Sequence, residues 1–150
     1  MIIEPDQLYY EEGHYVWSPE RCEAAWEQCY RDLAEALRTR PVRKVVILVG
    51  LPGCGKSHWT RAHHEDDVVI FDGLFVQRER RRRVLAIAQE AGVPVEAVWF
   101  TTDWAACVDR NGRRSPDRKV PEEALERMRQ VLEGDPPTAA EGFAEVRRYP

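Results

Sequence analysis

The stretch Gly50, Leu51, Pro52, Gly53, Cys54, Gly55, Lys56, Ser57 constrains this chain more than any other. It has the spacing G-x-x-x-x-G-K-[ST], with a β-branched run over residues 44–49 in front and a helix-length segment over 56–64 behind, and that context gives the motif its meaning. Glycines let successive backbone amides converge on phosphate oxygens, and the start of the following helix adds positive potential. Lys56 then reaches the β and γ phosphates, and Ser57 offers its hydroxyl to Mg²⁺. The expected cradle is Gly50, Pro52, Gly53, Cys54, Gly55, Lys56, Ser57 and His58, and the expected ligands are ATP and Mg²⁺. His58, His63 and His64 lack metal-ligand spacing, so their imidazoles are given no chemistry.

The rest of the chain alternates strand and helix signals. Residues 1–5 read as a short strand with Asp6 at its end, and an aromatic, acidic connection through Tyr9, Tyr10, His14, Tyr15 and Trp17 follows. Ser18 and Pro19 are N-cap and first-turn residues, and Cys22, Trp26, Cys29, Leu33 and Leu37 recur at helical spacing over 19–38. Residues 68–71 form a buried strand ending at Asp72 and Gly73. A helix over 77–91 closes at Gly92, a strand covers 95–101, and a helix near 103–111 leads into a basic loop. A helix over 121–132 and an edge strand over 143–149 complete the pattern. This alternation predicts an α/β sandwich with a mostly parallel sheet.

A length of 150 residues suits one domain, comprising a strand-helix unit (1–40), a core (44–132) and a tail (133–150). The longest apolar run, over 45–49, is far short of the roughly 18 residues a membrane span needs, and the first residues lack the pattern of a secretory signal. No membrane association and a cytoplasmic location are the expectations. The net charge of -4 argues against a surface that coats nucleic acid. Only Lys44, Lys56 and Lys119 of the 22 basic residues are lysines; arginines gather at 78–83 and 110–118. One helical turn of arginines points in several directions, so Arg80 to Arg83 are expected mostly in solvent. The four cysteines have no CxxC pairing, and core packing is favoured over metal ligation or disulfides. Asp72, at a strand end on the same sheet edge as the glycine loop, is a candidate for the metal's water shell, with turn capping before Gly73 as the alternative.

The pieces from residue 68 to 132 resemble the P-loop polynucleotide 5′-kinase family and its zeta-toxin-type and small-molecule kinase relatives. They are Val68-Val69-Ile70-Phe71-Asp72, the helix with Glu79, Arg80 and Arg81 that ends at Ala91-Gly92, Val98-Trp99-Phe100, the run from Cys107 to Arg114, and Val120-Pro121-Glu122 with Met128. Glu141-Gly142-Phe143 resembles a tail of the same relatives. The resemblance implies a three-layer P-loop NTPase sandwich with a mostly parallel sheet of about five strands. It also implies transfer of the γ-phosphate of ATP to a hydroxyl, with an RNA or DNA 5′-OH the leading acceptor. A small-molecule or nucleoside kinase, and a nucleotide-binding regulatory module without acceptor chemistry, are the alternatives.

One family piece is out of order. The strand with the catalytic aspartate lies in the family between the phosphate-loop helix and the strand matched by 68–72, where this chain has too few residues to hold it. Residues 1–37 resemble that unit, which implies a circular permutation with residues 2–4 paired beside 45–49; an unrelated N-terminal cap is the alternative. The resemblance assigns Asp6 as the base and Lys56, Arg110 and Arg114 to the transferring phosphoryl group, with Arg113 and Arg118 weaker lid candidates. The family's arginine three residues after its aspartate is replaced here by Tyr9, and its polar residues after the second aspartate by Gly73 and Leu74.

Overall fold

The computed structural model describes residues 1–150. In chain order the elements are β1 (Ile2–Ile3), a 3-10 turn (Pro5–Tyr9), β2 (Tyr10–Glu11), β3 (His14–Tyr15), α1 (Pro19–Thr39), β4 (Lys44–Val49), α2 (Lys56–Ala62) and β5 (Val68–Asp72). They continue with α3 (Arg78–Ala91), β6 (Val95–Phe100), α4 (Trp104–Gly112), α5 (Glu122–Gly134), a 3-10 turn (Ala139–Glu141) and β7 (Glu145–Tyr149). β4 is the centre of the sheet because it is apolar on both faces: Val45 to Val49 are all buried. It pairs in parallel with β5 on one side and β6 on the other, and the five-stranded order is β1-β5-β4-β6-β7 with every pair parallel.

The register sets which residues share a face. Phe71 lies opposite Ile47, which lies opposite Ala97, so these three point one way and Phe100, three residues beyond Ala97, points the other. Trp26 of α1 stacks on Phe71 at 5.5 Å between ring centres, while Trp59 of α2 meets Phe100 edge-on at 6.4 Å. Helices therefore cover both faces, and the expected three-layer α/β sandwich is what the chain forms. α1 begins as expected, with the Ser18 hydroxyl accepting from the Arg21 amide at 3.1 Å and Pro19 behind it. Gly73 has a packing reason: a Cβ there would stand 2.6 Å from Cη2 of Trp26, so the helix sits against β5 only with glycine in that place. The four cysteines are free thiols, and three of them are buried in the core, as the packing expectation requires.

Two expectations need correction. The N-terminal strand is shorter than residues 1–5: Pro5, with its fixed φ and no N–H to give a ladder, opens the 3-10 turn, so Asp6 sits in that turn. β1 pairs with β5, Ile2 opposite Ile70 and Ile3 opposite Phe71, and β5 separates it from β4. The pairing of residues 2–4 beside 45–49, on which the permuted order rests, is absent. β1 is nonetheless parallel to β5 and ends at the same sheet edge.

The second correction concerns the arginines of α3. Arg81 is fully buried; it donates to Glu141 at 2.9 Å and to the carbonyls of Phe75, Val76 and Asp135 at 2.9, 3.3 and 2.8 Å. Arg80 lies over the Trp26 ring at 4.4 Å and Arg83 over Tyr30 at 4.3 Å, paired with Glu23 and Glu27. Arg82 is the most exposed of the run, in an (i, i+3) pair with Glu79, and Arg78 at the start of the helix is exposed too, paired with Asp135. Periodicity locates Arg81 on the Val84–Ala88 face, but its buried partner lies 60 residues away, so no local pattern shows the match.

Arg81 thus ties the segment after β5 to the chain beyond α5. Arg81→Ala leaves a buried carboxylate and three carbonyls without their donor and is expected to cost about 3–5 kcal/mol, whereas Arg82→Ala costs less than about 1 kcal/mol. Denaturant titrations of the two variants check this, and equal losses would contradict the assignment.

Candidate active site at the C-terminal edge of the sheet

Parallel pairing brings the ends of β1, β5, β4 and β6 to one edge, where the connecting segments leave the sheet. The glycine loop leaves β4 there. Gly53 and Gly55 have φ of +81° and +96°, the left-handed region closed to most side chains, and Gly55 caps α2 with no side chain in the way of its amides. The Lys56 ammonium is buried and folded back over the loop, donating to the carbonyls of Gly50 at 3.2 Å and Leu51 at 2.8 Å, with Cys54 Sγ at 3.4 Å. Pro52 is buried in the turn, and His58 stands exposed on the first turn of α2. His63 stacks on Trp59 at 4.1 Å instead of facing the loop.

Asp72, level with Leu48 at the end of β5, accepts from the Ser57 hydroxyl at 3.5 Å. Burial pushes its carboxyl up to about 6, against the pull of Lys56, and Glu4 and Asp6 push it in the same direction. Ser57 and Asp72 are the residues at this edge that could hold a hard divalent cation. Two protein oxygens beside a phosphate cradle suit Mg²⁺, which keeps several waters and takes the rest of its shell from phosphate. Glu4 went unrecognised in the sequence. It follows Ile3, which pairs with Phe71, and so comes to the same edge as Asp72; the signal is the register of a two-residue strand.

The far wall of the loop is α4. Asp103 caps it by accepting from the Ala106 amide, the Thr102 hydroxyl donates to Cys54 O at 2.9 Å, and Arg110 donates to Gly53 O at 3.1 Å. Arg110 therefore stands against the glycine loop. The basic loop that follows is pinned by Asn111, whose buried side chain donates to Val120 O at 2.7 Å and accepts from the Val120 amide at 3.0 Å. Arg113 turns away and pairs with Asp109 along the helix at 3.1 Å.

Arg114 and Arg118 go to the hairpin of β2 and β3. Both act on the Tyr15 hydroxyl, which burial nonetheless pushes up to about 12, and Arg118 lies 5.4 Å over the Tyr15 ring. Asp6 is half-exposed, and its charged partner is Arg118, Nη2 to Oδ2 at 3.7 Å. The edge thus gathers Lys56, Ser57, Asp72 and Arg110 on one side and Asp6, Arg118 and Arg114 on the other. Tyr9, in the position of the family's arginine, is buried.

A helix-flanked parallel sheet with a glycine loop at the end of its central strand and a lysine, a hydroxyl and a carboxylate around that loop defines a P-loop NTPase sandwich. Residues 64–134 match the family model AAA_33, an AAA domain. The match runs from β5 through α5 and supports a P-loop, nucleotide-binding, kinase-like protein. No curated protein matches the chain. No helix is long and apolar enough to cross a membrane.

The raised carboxyl of Asp72 has a thermodynamic sign. A folded-state value above the unfolded one means that ionisation erodes stability as pH climbs from about 4 through about 6, and the penalty is complete above that. Asp72→Asn is expected to stabilise the metal-free protein at about pH 8 by up to about 3 kcal/mol, with the gain vanishing near pH 4. Denaturant titrations across that range check it; a gain independent of pH would contradict the buried-carboxylate account. The same substitution is expected to weaken Mg²⁺-dependent ATP binding.

Proposed function

We propose that the chain is a single-domain, cytoplasmic ATP-dependent phosphotransferase that moves the γ-phosphoryl group to a hydroxyl, with a polynucleotide 5′-OH as the leading acceptor. The observation that supports it is the grouping at one sheet edge of a phosphate cradle, the Ser57–Asp72 oxygen pair and a separate half-exposed carboxylate, Asp6. A nucleotide switch without acceptor chemistry has no use for the last of these.

In this reading the amides of Gly53 to Ser57, with Pro52 and Cys54 shaping the turn and His58 at its rim, hold the phosphates. Lys56 exchanges its two loop carbonyls for β and γ phosphate oxygens. Ser57 and Asp72 hold Mg²⁺, which neutralises phosphate charge when bound. Asp6 orients the acceptor hydroxyl and takes its proton as the acceptor oxygen bonds to the γ phosphorus; the β,γ-bridging bond breaks and its electron pair leaves on ADP. Arg110, beside Gly53, and Arg114 stabilise the charge on the transferring group. The exposed rings of Tyr10 and Trp17, close in sequence to Asp6, suit the base of a polynucleotide and of a nucleoside alike and do not choose between those acceptors.

The protein incubated with γ-labelled ATP, Mg²⁺ and 5′-hydroxyl RNA or DNA is expected to label the oligonucleotide. Asp6→Ala is expected to lower kcat on the order of 10²- to 10⁴-fold with ATP affinity kept. No label on either polymer removes that acceptor, and label on a metabolite pool supports the small-molecule alternative. ATP turnover with no acceptor at all supports the regulatory module.

A further inference from the structure

Two of the four free thiols meet beside the glycine loop. Cys54, inside the loop, and Cys107, in the first turn of α4, both line a cavity of about 190 Å³ that Thr102 and Trp104 help to wall. The backbone around them is interlocked. The Thr102 hydroxyl donates to Cys54 O at 2.9 Å, the Cys107 thiol donates to Thr102 O at 3.8 Å, and a Cβ on Gly53 would stand 3.1 Å from Cys107 O. Burial pushes the Cys107 thiol up, and Cys54 pushes it in the same direction, so each sulfur lies within the other's field. The Lys56 ammonium donates to Cys54 Sγ at 3.4 Å. The same sulfur packs so closely on Gly50 that a Cβ there would stand 2.7 Å from it.

We propose that Cys54 and Cys107 form a reversible oxidation site, at which hydrogen peroxide converts the thiol pair to a disulfide that closes the glycine loop to nucleotide. Cys54 is the attacking sulfur, because the Lys56 ammonium stands beside it where negative charge gathers. Its sulfur bonds to one peroxide oxygen, the O–O bond breaks, and the other oxygen leaves as water with the thiol proton; the product is a sulfenic acid. The Cys107 sulfur then bonds to that of Cys54, the S–O bond breaks, and a second water leaves with the Cys107 proton. The thiols give up two electrons and two protons, and the peroxide takes both. The cavity admits so small an oxidant to both sulfurs. The new bond ties the loop to α4 and draws the Cys54 sulfur from its seat on Gly50, within the turn whose amides face phosphate. A bound nucleotide acts the other way, since phosphates that take Lys56 leave the Cys54 sulfur without its cation. In a reducing compartment such a disulfide is transient and serves as a signal instead of a staple.

The inference rests on the nucleotide-binding part of the proposed function, but its first readout needs no nucleotide. Reduced protein is treated with hydrogen peroxide, quenched with N-ethylmaleimide and mapped by peptide mass. Binding of a fluorescent ATP analogue with Mg²⁺ is titrated before oxidation, after it, and after dithiothreitol. Wild type is expected to yield a peptide linking Cys54 to Cys107, to bind the analogue about tenfold or more weakly once linked, and to recover with dithiothreitol. Saturating ATP and Mg²⁺ are expected to slow the linkage. Cys107→Ser and Cys107→Ala are expected to bind the analogue as reduced wild type does, to form no linkage, and to leave on Cys54 a sulfenic acid that dimedone traps. Thermal melts check that both variants fold; where they do not, the wild-type peptide map and the recovery still decide the matter. No linkage between these two cysteines, linkage of others in their place, or linkage with affinity unchanged overturns the proposal. Reduced protein that binds no analogue, with the linkage still formed, instead overturns the nucleotide reading and leaves the thiol pair as an oxidation site.

Discussion

Everything at the candidate site depends on the pairing of β4 with parallel neighbours on both sides. A strand with both faces apolar is stable only between two others and beneath helices on each face, and parallel partners must then all end at the same edge. That constraint, applied before any functional residue is considered, brings the glycine loop, Asp72 and the segment after β1 together. The carboxylates of Glu4, Asp6 and Asp72 are crowded as a result, and the burial that raises the Asp72 carboxyl follows from the same packing.

The arginines divide by what they hold. Those of α3 are paired with Glu23, Glu27, Glu79, Asp135 and Glu141, so the run leaves no free basic face there. The arginines after α4 are different. Arg110 is satisfied by one loop carbonyl, Arg113 by a neighbour on its own helix, and Arg118 faces an aromatic ring. Two runs that look alike in composition therefore have opposite fates, decided by acidic residues as many as 60 positions away.

Legibility in the sequence follows the range of the interaction that fixes each feature. The glycine loop, the Ser18 cap, α1 and the three long strands are set by local spacing and propensity, and all were readable. The position of Asp72 beside Ser57 follows from strand order, which alternation alone nearly determines. Register on a two-residue strand is not local, and so the place of β1 at the sheet edge and the nearness of Glu4 to Asp72 were missed. The contact of Arg118 with Asp6 joins a loop after α4 to a turn at the other end of the chain, and only folding reveals it.

The cations of the site share one habit. Lys56 rests on the carbonyls of Gly50 and Leu51, Arg110 on that of Gly53, and Arg118 near the Asp6 carboxylate, each held by a weak or partial substitute for a phosphate. Of the three only Lys56 is buried, and a buried cation with no acceptor would cost the fold several kcal/mol, so it above all needs a provisional partner. Those partners must be easy to leave, because every bond they make is subtracted from nucleotide affinity. Two loop carbonyls meet that demand for Lys56. For Arg118 the partner is the proposed base itself, and because the 3.7 Å contact is too long for a hydrogen bond, the guanidinium partly masks Asp6 without committing to it.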